Sequence, residues 1–120
     1  MTVEPDRAPA LDPQDLECLL IARQWASDID GMVALFEPNA MVDNGEGQLT
    51  RGREAIRALF AEINATGRKF ASGEQRPALI NGDLALTSTR LPDGSITTEV
   101  ARRQDDGTWL WVIDRYSVAW

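Results

Sequence analysis

A chain of 120 residues, 43% of them hydrophobic, has room for one domain around a single core and none for a second. Its formal charge of −7 and isoelectric point near 4.5 repel nucleic-acid phosphates and anionic membranes. Histidine is absent, which removes the commonest general base, the Ser-His-Asp and Cys-His arrangements and nearly every catalytic zinc site.

Met1 to Ala10 holds Pro5, Pro9 and mixed charges without periodicity, so residues 1–11 read as a loose arm and residues 12–120 as the domain. Neither a basic-then-apolar leader nor a run of 18 apolar residues occurs, and a cytoplasmic location is expected. Asp12-Pro13-Gln14-Asp15 reads as a helix start, with Asp12 as cap and Pro13 at the first helical position. The helix should run to about Ser27, with Leu16, Leu19, Leu20, Arg23 and Ala26 along one stripe. The lone Cys18, beside Leu19 and Leu20, can form no internal disulfide and reads as a helix-face residue.

A short helix from Ile29 to Phe36 should follow, capped by Asp28 or Asp30, and end before Pro38. A strand from Ala40 to Asn44 then carries Asp43 and Asn44 to its tip, next to the Gly45–Gly47 turn. Gly52 opens a third helix whose Ile56, Leu59, Phe60 and Ile63 fall at i, i+3, i+4 and i+7. Arg51 and Arg53 flank Gly52, and a nearby Glu46 or Glu54 explains them better than an anion site does.

From Gly67 the period changes to two. Arg68 to Ser72 with Gln75 to Ile80 reads as one strand bulged at Gly73, followed by strands at Leu84–Leu91, Ser95–Gln104 and Trp109–Trp120. Turns at Asn81-Gly82-Asp83, Pro92-Asp93-Gly94 and Asp105-Asp106-Gly107 join them. The expected fold is α+β: three N-terminal helices packed on a strongly curved, mostly antiparallel sheet. On the last strand, Val112, Asp114, Tyr116 and Trp120 share one parity; Glu99 faces with Ala101 and Arg103, and Thr87 and Thr89 with Ala85.

The run Asp30-Gly31-Met32-Val33-Ala34-Leu35-Phe36, then Asn39-Ala40-Met41-Val42-Asp43, Gly52-Arg53-Glu54-Ala55-Ile56-Arg57 and Asp106-Gly107-Thr108-Trp109 through Asp114 resembles the nuclear transport factor 2-like superfamily, in its ketosteroid isomerase and SnoaL-like branches. The resemblance implies a cone-shaped fold with an apolar cavity at its wide end and a homodimer formed through the sheet. In the isomerase branch a general-base Asp follows Ala-x-Val-x, here Ala40-Met41-Val42-Asp43, and that position holds Asn44, which cannot take a proton. The oxyanion Tyr would correspond to about Leu20. Its carboxyl partner matches Glu99, which an apolar site could hold neutral. Two of three positions depart, so steroid isomerisation itself is not expected.

The candidate catalytic residues are Asp43, Glu99 and Asp114; the candidate pocket residues are Asn44, Leu20, Phe60, Thr87, Thr89, Val112, Tyr116 and Trp120. Each has a plainer reading. Asp43 and Asn44 could simply start a turn. Glu99 could lie exposed opposite an arginine, and Asp114 could pair with Arg103 or Arg90. No metal or organic cofactor is expected. The function expected is binding of an apolar small molecule, with cofactor-independent acid/base catalysis of isomerase, dehydratase or hydrolase type by carboxylates. A non-catalytic dimeric scaffold and an epoxide-opening or cyclising biosynthetic enzyme are the alternatives.

Overall fold

The computed structural model describes residues 7–45 and 47–117. Helix α1 spans Asp15–Trp25, with Asp15 and Glu17 in its first turn and Arg23 in its last, charges that complement the helix dipole. It begins later than Asp12 alone would suggest, because the Asp15 carboxylate turns back to accept from the backbone N–H groups of Leu11 and Asp12. Leu16 and Leu20 are buried along it, together with the polar Arg23 and Gln24. The Arg23 guanidinium donates to the carbonyls of Gly31 (2.7 Å) and Ala8 (2.8 Å).

Helix α2, Ile29–Val33, starts at Asp28, whose carboxylate accepts from Gly31 N–H at 3.1 Å. It stops short of the expected end at Phe36, which instead begins strand β1, Phe36–Asp43. Packing decides this. The Phe36 ring sits 5.7 Å from Phe60 and 5.0 Å from Trp111, and Trp111 N–H donates to Leu35. Pro38 does not prevent the strand, since the ladder shifts register between Phe36 and Met41 and the ring stays exposed at the irregularity.

Strand β2 (Leu49–Arg51) leads through Gly52, at φ 86°, into helix α3, Arg53–Ala65. Ile56 and Phe60 are buried and Leu59 and Ile63 pack against the core, as their spacing predicts. Strands β3 (Glu74–Gln75), β4 (Leu79–Asn81), β5 (Leu84–Arg90), β6 (Ile96–Arg103) and β7 (Trp109–Arg115) complete the fold. The sheet order is β2-β1-β7-β6-β5-β3, with β4 also on β5, and β1–β7 is its parallel pair. Mixed α+β architecture with three helices over this sheet agrees with the expected fold class.

The expected long strand over Arg68–Ile80 is broken. Pro77 separates β3 from β4, and Arg68–Ser72 joins no ladder, because a side chain has taken its backbone groups. The buried Gln24 donates to Arg68 C=O at 3.1 Å and accepts from Phe70 N–H at 2.6 Å. Of the expected arm, residues 7–11 are described, and contacts hold part of them. Arg7 bonds Asp28 through two nitrogens, and the buried Ala10 accepts from Trp109 N–H. Among the described residues no helix is long and apolar enough to cross a membrane.

Strict alternation along β7 would place Trp111 and Asp114 on opposite faces. The ladder to β6 instead pairs Trp111 with Ala101 and Ile113 with Val100, leaving Val112 as one extra residue. Trp111 and Asp114 therefore both face inward. Outward, Leu79, Leu86, Val100, Ile113 and Met41 fall on one cross-strand row, with Leu79, Leu86 and Ile113 exposed.

Candidate functional site

A cavity of about 480 Å³ lies between α1, α3, the Arg68–Ala71 segment and the inner face of the sheet. Its apolar wall comes from Leu20 on α1, Leu59, Phe60 and Ile63 on α3, Val42 on β1 and Phe70. Five carboxyl side chains line it, and three of them, Glu17 on α1, Glu99 on β6 and Asp114 on β7, are not exposed.

Glu99 is 3% exposed and its two oxygens are held separately. Thr87 Oγ1 donates to Oε2 at 3.1 Å, and Thr97 Oγ1 to Oε1 at 2.8 Å. Burial pushes its pKa up, and the two hydroxyl donors, which favour the anion, act against that rise. Asp114 stands directly opposite Glu99 in the β6–β7 ladder. Its pKa is raised well above the ordinary carboxylate range, first by desolvation and then by the charges of Glu99, Glu17 and Asp43. The residue is half-buried and keeps accessible surface that borders the cavity. Glu17 is pushed up to about 7 by desolvation and by the charge of Glu99.

The expected residues divide accordingly. Leu20, Phe60, Asn44, Glu99, Asp114 and Tyr116 line the cavity. Asp43 does not: it alternates with Val42 and Asn44, its Oδ1 accepts from Gly45 N–H at 3.0 Å, and its Oδ2 lies 3.3 Å from Arg115. The turn-former reading describes it. Thr87 is buried behind Glu99, and Thr89 lies under Gly73, so neither reaches the cavity wall. Val112 is the bulge residue and is not part of the wall. Trp120 falls outside the described residues. The arginines offered as partners for Asp114 are engaged elsewhere, Arg103 with Asp83 at 2.7 Å and Arg90 with Glu74 at 2.8 Å.

The residue that sequence reasoning missed is Glu17. Its spacing to Leu20 and Gln24, i, i+3 and i+7, puts it on the cavity face of α1, but an acid in a first helical turn has a sufficient explanation in the helix dipole. At the mouth, the Arg68 guanidinium donates to the Tyr116 hydroxyl and lies 5.1 Å over its ring. Among the described residues no set of three or more His, Cys, Asp or Glu side chains is arranged to hold a metal ion.

The SnoaL-like domain family model matches residues 20–119, from the cavity residue Leu20 through the whole sheet. The chain belongs to the SnoaL-like domain family. Solved structures agree on the nuclear transport factor 2-like, cystatin-like fold. A protein of unknown function from Mycobacterium tuberculosis is 18% identical, with TM-score 0.70 over 85% of this chain and 70% of that one. A cystatin-like domain of unknown function from Nostoc punctiforme is 22% identical, with TM-score 0.68 over 84% and 71%. A proposed dehydratase of the NTF2-like family from Streptomyces avermitilis is 16% identical, with TM-score 0.67 over 85% and 90%. At these identities the likeness is one of fold. No curated protein matches the chain. The SnoaL-like sheet, with its inward carboxyls, is thus the frame in which the cavity has to be interpreted.

Proposed function

We propose that this SnoaL-like domain binds an apolar small molecule in the cavity and transfers protons on it without a cofactor. One observation carries the reading: Glu99 and Asp114 oppose each other across β6 and β7 at the cavity wall, with no basic side chain pairing either among the described residues. Two like charges so placed favour different protonation states. Glu99, gripped by two threonine hydroxyls, is the better anion and serves as the base. Asp114, the more strongly raised, serves as the acid. In a dehydration Glu99 would take a proton from carbon while Asp114 gives one to the leaving hydroxyl, so that water departs and the proton count balances. The proposed dehydratase among the structural relatives is in keeping with this chemistry.

The test is a thermal-shift screen with apolar small molecules, followed by binding measurements on Asp114→Asn. Ligand binding to the native state raises its melting temperature by mass action. A rise for the unaltered chain that is lost in the variant supports the reading. A flat response across a broad library removes it and leaves a scaffold.

The apolar outward row from Leu79 to Met41 supports a second copy of the chain as partner through the sheet. Light scattering on the unaltered chain and on Ile113→Arg would test this. A dimer that the variant dissociates is the expected result.

A further inference from the structure

Charge around the cavity is lopsided. Five carboxyl side chains line it, Glu17, Glu62, Asp93, Glu99 and Asp114, against two cations, Arg68 and Lys69. Both cations are exposed and occupied by rings, Arg68 over Tyr116 and Lys69 5.5 Å over Trp25. Deeper in, Glu17 feels the charge of Glu99, and Asp114 feels those of Glu99, Glu17 and, from β1, Asp43. The arginines of β5, β6 and β7 with ion pairs are committed to other acids: Arg90 to Glu74, Arg102 to Glu37, Arg103 to Asp83 and Arg115 to Asp43. No described side chain donates a hydrogen bond to the Asp114 carboxyl, whose half-buried residue borders the cavity. A carboxyl in this position has two stable conditions, neutral or facing a cation.

We propose that the ligand carries a basic nitrogen: an apolar amine whose ammonium group sits among Glu17, Glu99 and Asp114 and whose hydrocarbon body packs on Leu20, Leu59 and Phe60. The inference rests on the small-molecule reading of the cavity and narrows it. An ammonium group brings charge and donors to three acceptors that the protein leaves without a cation. A neutral alcohol of the same shape gains the apolar contacts and a single neutral hydrogen bond, and a carboxylate meets like charge. The three acids form no metal-ligand set, which favours an organic cation over an inorganic one. An ammonium also favours ionised carboxyls, so its entry expels the proton that Glu17 holds, while the proton on Asp114 stays for the acid step. Amine affinity then rises with pH, while Glu62 and Asp93 at the wall oppose Arg68 and Lys69 and leave that direction unchanged.

The probes are 2-phenylethylamine, 2-phenylethanol and 3-phenylpropionate, titrated calorimetrically into the full chain at pH 5.5 and pH 8 in buffers of different ionisation heat. At pH 8 the amine should bind at least about tenfold tighter than the alcohol, and the carboxylate not at all. The advantage should shrink at pH 5.5, with proton release on binding, and Glu17→Gln should weaken the amine about three- to tenfold while sparing the alcohol. An alcohol that matches the amine, or amine binding without proton release, overturns the nitrogen assignment and leaves the pocket standing. Binding of none of the three overturns both.

Discussion

Glu99 and Asp114 occupy the same rung of the β6–β7 ladder on its cavity side; burial raises the pKa of both, and the charge of Glu99 raises that of Asp114 further. The stability of the domain follows from that arrangement. The folded pKa values of Glu17, Glu99 and Asp114 lie above their unfolded ones, so between the two values the native state holds protons that the unfolded chain has given up. The contribution of these three groups is therefore greatest at low pH and falls as pH rises. For Glu17 the window runs from the ordinary 4.5 to about 7. Urea titration should give a higher midpoint at pH 5 than at pH 8. Asp114→Asn should flatten that dependence and raise stability at pH 8 by on the order of 1–3 kcal/mol. An unchanged profile in the variant would place the titrating group elsewhere.

The acid limb belongs to Asp28. The Arg7 hydrogen bonds, chief among the causes, hold its carboxyl below the ordinary range, with Gly31 N–H and the charges of Arg7 and Arg23 adding to this. Its contribution is present above the unfolded pKa and is lost as pH falls through the lower folded one. Asp28→Ala removes a helix cap and leaves the buried Arg23 without its neighbouring charge, and should cost about 2–4 kcal/mol in chemical denaturation. Asp28→Asn, which can still cap α2, should cost less.

Gln24 is the post on which the cavity's outer wall hangs. Replacing it with Leu leaves Phe70 N–H and Arg68 C=O without the partner they have now, and should destabilise the domain by about 1–3 kcal/mol. Limited proteolysis gives a more local check. Cleavage should appear between Arg68 and Ser72 in the variant well before the rest of the chain is cut.

Gly73→Ala should be disproportionately harmful for a one-carbon change. A Cβ built there comes within 2.5 Å of the Arg90 carbonyl oxygen and 2.6 Å of Thr89 Cγ2, and the first is backbone that cannot swing aside. About 1–3 kcal/mol of lost stability is expected, with weakened β3–β5 pairing seen by amide exchange at Arg90.

Helix α3 was readable because Ile56, Leu59, Phe60 and Ile63 repeat at the helical period, and β5 and β6 because each alternates between turn signals at Gly82, Gly94 and Gly107. Glu99 is a candidate through the resemblance, which matches it to the carboxyl partner of the isomerase branch. Where one residue alters the count, parity fails: Val112 carries no local sign that it is extra, and alternation assigns it to a pocket that it does not reach. The Arg68–Ser72 strand was lost to a contact 44 residues away in sequence, from Gln24 to Arg68, which no local pattern reports. Phe36 reads as the end of a helix because its partners Phe60 and Trp111 are remote in the chain. Glu17 stayed hidden because its position already had an adequate reason.

The parallel pairing of β1 with β7 also orders events in time. Val42 reaches its partner Asp114 across about seventy residues, so on a growing chain β1 must wait, with one side of its ladder open, until nearly all of the described chain has been made. Until then the cavity lacks the strand that carries Asp114, and Phe36 lacks Trp111. The hairpins of β5 and β6 can form earlier from local contacts, which makes docking of β7 between β6 and β1 the step most exposed to misassembly and to help from chaperones.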